Sequence, residues 1–539
     1  MLARILCSAL LAATLVAAAP ARADVVAAAG ADSSDSTASS PGARTPSAAD
    51  DIIPLPELDG TPLTPGAKSL RDLAMTQKST QALAQRSLSA VTPADLGAFT
   101  LSNDNPQLQV PLGWRPYTRS TVYPLGTGTR DSTGVPMLKI GTKLYDHPVR
   151  QAHDGLAALE SYRITQQSKY LTQALLDAQR LFTRRVVRNG AYFFPYPYDF
   201  ALHRVAADTI HAPWYSGMAQ GHALSLFTRL AEVTGNATWR WCAKATFTSL
   251  LLPPVPTNTR LPFVSWVDSA HHLWIDEYAQ QPLSKADRTF NGYVFAVFGV
   301  WDYFSTSHDA RAAQIFRGAL STLRYHVGRG WRTKYWISHY CMTHGAMSPS
   351  YHGIHVRQMN LLHAITARSD WAVWSDLFRD DYPTPALTGS VRFAAGTHYG
   401  YTFDSAGHPL TSHAMRLSRR AWAPTSQRAR IKGRAYYYLI TAGSLKGYWV
   451  QERPTAYRPG LILSTTYAYS RLAIFATGSH TGWSLTASDL RAGSRTFILS
   501  HTSSASFDRS GWIDGASYVR IINGTFAGRW VPTAGLTRY

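Results

Sequence analysis

Cysteine is scarce, three in 539 residues. Cys7 lies inside an N-terminal apolar run, so Cys242 and Cys341 remain, and disulfides cannot be the main staple of a chain this large. The sequence leaves open whether those two sulfurs pair or stay as buried thiols. Acidic residues are also few, 33 against 53 lysines and arginines, for a formal net charge of +20. That excess favours a partner of negative charge. The apolar run from Ile5 to Ala19 is too short to cross a bilayer as a helix. There is no GxxxxGK[ST] phosphate loop, no nucleotide-binding strand-turn-helix fingerprint, no HExxH and no paired CxxC. Nucleotide cofactors and the commonest zinc enzymes are thereby disfavoured, and neither a cofactor nor a metal is expected.

What is present begins with Arg4, the apolar run and a small-residue site at Ala21, Arg22 and Ala23. This predicts a cleaved signal peptide over 1–23 and a secreted protein with no membrane span after cleavage. Removing Arg4 and Arg22 leaves a charge of +18 on the exported chain. Export disfavours nucleic acid and favours an anionic polysaccharide or the cell wall as partner. Residues 24–60 are rich in Ala, Ser, Asp, Thr and Pro and predict a disordered tether. Residues 61–147 predict a short helix near Gly66 to Gln85 followed by extended chain that wraps the next domain.

From Pro148 the pattern turns helical. Leu171, Leu175, Ala178 and Phe182 recur on one stripe, as do Phe316, Leu320 and Leu323. Polar breaks at Thr234 to Asn236 and Ser307 to Asp309 separate paired segments, predicting about four helical hairpins up to Asp381. Stacked hairpins of this kind close into an α/α toroid, a bundle or a solenoid. After Pro383 short alternating runs predict β structure. Phe393, Gly396, His398, Gly400 and Tyr401 reappear 82 residues later as Phe475, Gly478, His480, Gly482 and Trp483. The expected architecture is a multidomain α + β chain. It comprises an α/α toroid over 148–382 and a duplicated all-β domain over 388–539, with repeats at about 391–455 and 473–536.

Four segments carry the chemistry: WYSGMAQG at Trp214 to Gly221, WIDEYAQQP at Trp274 to Pro282, FNGYVFAVFGVWDYF at Phe290 to Phe304 and SYHGIHVRQMNLL at Ser350 to Leu362. In order and spacing they resemble the C-terminal catalytic domain of D-glucuronyl C5-epimerases, which invert C5 of uronic acids in heparan-type glycans. The resemblance covers Pro148 to Tyr382. It implies an isomerase, an anionic uronic-acid polysaccharide as substrate and no metal; a homodimer is left open. Inversion at C5 needs a base within reach of the C5 proton, a proton donor on the opposite face, and a cation or donors offsetting the carboxylate charge.

The resemblance points to Tyr335, Tyr351, Glu277 and Tyr278 for proton transfer. The candidates for binding sugar are Trp214, Tyr215, Gln220, Asn291, Arg332, His339, His352, His355 and Arg357, the last standing where the family has asparagine. Where the family has Asp, Leu, Arg, His after the tyrosine matching Tyr335, this chain has Trp336, Ile337, Ser338 and His339. Charge neutralisation would therefore fall to Arg357 or Arg332. A metal held by His352 and His355, with Cys341, His339 and His344 nearby, is set aside for want of ligand spacing. The C-terminal glycine and tryptophan spacing resembles GW-type, SH3-like repeats that attach exported bacterial proteins to cell-wall polymers. A uronate lyase and a glycan-binding protein without turnover remain the rival functions.

Overall fold

The computed structural model describes residues 91–382 and 386–538. The expected signal peptide, the tether and the helix near Gly66 lie outside these residues. The described chain divides into two compact units. One runs to Arg329 and takes in Cys341–Ala346; the other comprises Gly330–Tyr340 and Met347 onward.

The first unit holds three helical hairpins. They are α1 (Pro148–Thr165) with α2 (Ser168–Arg184), α3 (Gly217–Thr234) with α4 (Ala237–Ser249), and α5 (Phe290–Ser307) with α6 (Ala310–His326). Side chains cap several starts: Ser216 accepts from the Ala219 N–H, Asn236 from Thr238 and Asp309 from Arg311. Each satisfies a backbone donor that the first turn leaves open. Helix α3 packs on α1, α4 and α5 and is buried on nearly every side, as an inner helix with apolar residues all round must be. The result is an open α/α arc with α1, α3 and α5 as its inner row.

The α3–α5 crossing is unusually close because Gly221 and Gly299 meet there. A Cβ on Gly299 would lie 2.6 Å from the Gly221 Cα. In α6 the expected stripe of Phe316, Leu320 and Leu323 is fully buried. In α2 the expected stripe is fully buried only in its second half, at Ala178 and Phe182. Tyr170, Ala174, Ala178 and Leu181 point inward with Asp177 and Arg180, while Leu171 and Leu175 are only half-buried. The cause is electrostatic, because Arg180 is completely buried between Asp131 and Asp146. Residues 99–123 run over the helices: Ser102 donates to the Arg317 carbonyl, Gln107 accepts from the Trp301 indole, and Arg115 binds Asp302.

The second unit opens with a fourth hairpin, α7 (Pro349–Thr366) and α8 (Ser369–Asp381), and continues into two antiparallel seven-stranded sheets. The first sheet contains β1 (Ala386–Phe393), β2 (Gly396–Phe403), β3 (Pro409–Leu417), β4 (Ala421–Arg430), β5 (Tyr436–Ile440), β6 (Trp449–Gln451) and β7 (Ala456–Tyr457), in the order β3-β2-β6-β5-β4-β1-β7. The second contains β8 (Leu461–Phe475), β9 (Gly478–Leu485), β10 (Arg491–Leu499), β11 (Ser503–Ile513), β12 (Ala516–Ile521), β13 (Trp530–Pro532) and β14 (Leu536–Arg538), in the order β10-β9-β13-β12-β11-β8-β14. The two orders are the same topology. Each module buries its own small core, Val391, Phe393, Tyr438 and Val450 in the first, Phe475, Phe507, Val519 and Val531 in the second. Helix α7 packs on β8, and Asp376 of α8 receives Arg379, Arg471, Tyr467 and Ser510. Among the described residues no helix is long and apolar enough to cross a membrane.

Candidate functional site

In the first unit the acidic pair of the WIDEY segment follows a short hairpin, Ser265–Val267 with Leu273–Ile275. The backbone there is pinned from both sides. Asp276 donates its N–H to the Val264 carbonyl at 2.9 Å, and its own carbonyl accepts from Gly217 at 2.7 Å, the first residue of α3. The Asp276 carboxylate is buried and accepts from the Trp266 indole N–H. Burial raises its pKa to about 7, with Trp266 and Arg288 pulling it back and Asp287 pushing it further up. Arg288 lies over the rings of Trp274 and Trp266, at 5.1 and 5.7 Å, in a left-handed backbone conformation with φ of 54°. Such strain in a non-glycine residue persists only where the surroundings enforce it.

Glu277 is buried against α5, and Asn291 is buried in the first turn of that helix. Tyr278 is half-buried and stacks on Phe200 at 5.7 Å with an interplanar angle of 19°. Trp214 and Tyr215 were expected to offer a sugar platform, but both are core side chains. Trp214 is stacked on Tyr196 at 3.8 Å and donates its indole N–H to the Tyr198 carbonyl. Tyr278 and Phe200, packed against that core, are only half-buried. Gln220 is also fully buried; it links the Phe194 N–H, the Tyr192 carbonyl and the Ser249 hydroxyl, so its amide is spent on the fold. His147 lies 5.2 Å from Tyr196 and accepts from the Arg150 N–H; burial, helped by Arg150, holds its pKa down to about 3.

The remaining expected residues belong to the second unit. Tyr335 is 41% exposed, has a φ of 65°, and donates its N–H to Asp381 at 2.8 Å. The Lys334 and Arg430 cations lie over its ring at 4.9 and 4.5 Å. Tyr351 is in the first turn of α7, 4.4 Å from the Tyr340 ring, where the helix's positive end favours negative charge. Arg332 was expected as a cation for a substrate carboxylate, but it forks onto Asp381 at 2.6 and 3.1 Å and its charge is already matched. Arg357 is exposed on α7.

Ser338, the residue standing in for the family's arginine, is buried between two histidines. The Phe378 carbonyl accepts from His352 Nε2 at 2.8 Å, so Nδ1 carries the lone pair and accepts from the Ser338 N–H at 2.9 Å. The Ser338 hydroxyl lies 2.9 Å from that Nδ1 and 2.8 Å from His355 Nδ1, tying the two rings together. Burial lowers His352 to about 4 and His355 well below the usual range, so both are neutral near pH 7. His339 contacts the Gly330 carbonyl through Nδ1 at 2.9 Å.

Cys242 and Cys341 are free and buried. Cys341 and His344 meet His203 and Asp287, not His352 and His355, with one donor atom from each of the four lying within 4.8 Å of the others.

Residues 188–378 match the family model described as D-glucuronyl C5-epimerase C-terminus. This segment is similar to that family's C-terminal domain. It contains Glu277, Tyr278, Tyr335 and Tyr351, and also Asp276 and Arg288, which the sequence left unassigned. Asp276 could have been marked by its place in WIDEY; nothing in the sequence signals that Arg288 folds back over two tryptophans. Among solved structures, the chain is similar to cellobiose 2-epimerase from Bacillus thermoamylovorans B4167, with 13% identity over 44% of this chain and 59% of that one and a TM-score of 0.33. It is similar to a family 76 glycoside hydrolase (mannosidase) from Bacteroides thetaiotaomicron VPI-5482, with 13% identity over 35% and 44% and a TM-score of 0.22. D-mannose isomerase shows 13% identity over 51% and 70% and a TM-score of 0.33. The chain spans less than two thirds of the length of the first two.

Proposed function

We propose that this protein is a secreted carbohydrate epimerase that inverts C5 of uronic acid residues in an anionic polysaccharide by removing and returning the C5 proton. The observation that carries this is the C5-epimerase domain match over residues 188–378. The net charge of +20 supports a polyanionic substrate, since a cationic surface gathers one from solution.

Two groupings compete for the proton transfer, one in each unit. The first is Asp276, Glu277 and Tyr278, with Arg288 as the cation; a carboxyl near pKa 7 is poised to change protonation at working pH, which is what acid and base catalysis demands. The second is Tyr335 with Tyr351, phenols placed beside cations and a helix start respectively. The carboxylate grouping is favoured because its environment is already tuned. The paired β modules are assigned to wall-polymer attachment.

The test is incubation with heparosan-like and other uronate polymers in deuterated water, followed by proton spectra of the glycan. Deuterium entering C5 without chain cleavage is the expected result. A product absorbing in the near ultraviolet would mean elimination instead, and binding without exchange would mean a glycan-binding protein. Glu277→Gln abolishing exchange while Tyr335→Phe and Tyr351→Phe retain it would assign the chemistry to the carboxylates; the reverse would assign it to the phenols.

A further inference from the structure

Outside the groupings above, four side chains from distant parts of the first unit turn their donor atoms toward one point. His203 comes from the turn after Phe200–Ala201, Asp287 from the approach to α5, and Cys341 and His344 from the loop Cys341–Ala346. Asp287 and Cys341 have fully buried side chains, and His203 and His344 close the outer side. His203 Nε2 lies 3.1 and 3.2 Å from the two Asp287 oxygens and 3.3 Å from Cys341 Sγ. His344 Nδ1 lies 2.6 Å from Asp287 Oδ1 and 4.0 Å from the same sulfur.

A nucleophilic cysteine would be activated through a histidine that uses one ring nitrogen for sulfur and the other for the carboxylate. Here the same nitrogen of His203 faces both. One nitrogen offers one proton or one lone pair, so it cannot properly serve a thiol and two carboxylate oxygens. A cation at the centre would use all four lone pairs at once.

Three further features fit that reading. The outer nitrogen of His344, Nε2, is 3.3 Å from the Asp208 carboxylate, the type of partner that orients a metal-ligating imidazole. His203 and Arg204 both have left-handed backbone angles, φ of 53° and 65°, strain that brings the His203 ring inward. The loop carrying Cys341 is tied to the Asp287 segment by the Thr343 hydroxyl on the Ala286 carbonyl and by a bridge from Cys341 to Thr289. Two imidazoles, a thiolate and a carboxylate suit a tetrahedral zinc ion, whose bond lengths of about 2.0–2.3 Å put neighbouring ligands about 3.3–3.8 Å apart. The sulfur-to-His203 and carboxylate-to-His203 separations already lie near that range.

We propose that His203, Asp287, Cys341 and His344 form a structural zinc site that clasps the Cys341–Ala346 loop to the body of the first unit. With four protein ligands the coordination is closed, so the ion holds the fold and does not meet substrate. Binding deprotonates the Cys341 thiol, and the proton goes to solvent.

The test uses the full chain. After purification without chelator, elemental analysis is expected to find about one zinc per chain, and replacement by cobalt is expected to give tetrahedral d–d bands with a thiolate charge-transfer band. Cys341→Ser should remove the charge-transfer band. Asp208→Asn, a change outside the ligand set, should weaken zinc binding by about 10–100-fold. If the unaltered protein takes up neither zinc nor cobalt stoichiometrically, or if its cobalt form has no thiolate band, the proposal is overturned. Those readings need no variant to fold.

Discussion

The Glu277 side chain fills the space that a side chain at position 292 would need: a Cβ on Gly292 would lie 2.6 Å from the Glu277 Cδ. Glycine in the first turn of α5 is therefore what lets the carboxylate pack against the helix. Gly292→Ala is expected to push Glu277 out of place, with an overpacking cost of about 1–3 kcal/mol. If Glu277 takes part in turnover, C5 exchange should fall by roughly 100-fold, since a displacement of an ångström has that effect on positioned groups. Exchange rate and denaturant midpoint, measured together, separate the two effects.

Asp276 predicts the pH dependence of the exchange rate. Because burial holds its carboxyl at about 7, the rate should change through an apparent pKa near 7, and Asp276→Asn should erase that step. A profile unchanged in the variant would remove Asp276 from the chemistry.

Restoring the family's arginine at position 338 should harm the protein. Ser338 is buried between two neutral histidines, so Ser338→Arg would bury an unpaired charge at a cost of about 3–5 kcal/mol. Ser338→Ala removes only the hydroxyl and should cost about 1–3 kcal/mol. Urea unfolding gives both values.

Stability should fall on acidification. His147, His153, His222, His326 and His352 are all held at about 3 to 4, chiefly by burial. Between their unfolded value of about 6.5 and those folded values, the unfolded chain binds protons that the folded chain refuses, so stability is complete above about 6.5 and drains away as pH drops toward 4. Asp276, raised to about 7, and the buried carboxyls of Asp146 and Asp177, also raised by burial, work in the opposite direction but are fewer than the histidines. The melting temperature followed from pH 8 to pH 4 should therefore decline most steeply below about 6.5, and a flat curve would contradict these burials.

Asp376 is the charged hub of the second unit. Burial alone would raise its pKa, yet Arg379 and Arg471, with the Tyr467 hydroxyl, bring it below the ordinary carboxylate range. Asp376→Ala leaves those cations buried without their counter-charge, and a loss of about 3–5 kcal/mol is expected in denaturant titration.

The chain's own residues, taken in order, settled what depends on neighbours a turn or a repeat away. They fixed the helical hairpins, the buried stripe of Phe316, Leu320 and Leu323, the epimerase segments, and the 82-residue duplication that returns as two sheets of one topology. Packing settled what depends on residues far apart in the chain. It buried Arg180 of α2 against Asp131 and Trp214 on Tyr196, committed Arg332 to Asp381, and brought His203 to Cys341 across 138 positions. Periodicity and spacing are set by local backbone geometry, whereas a side chain's partner is chosen by which distant surface must share its burial, and no local pattern records that choice.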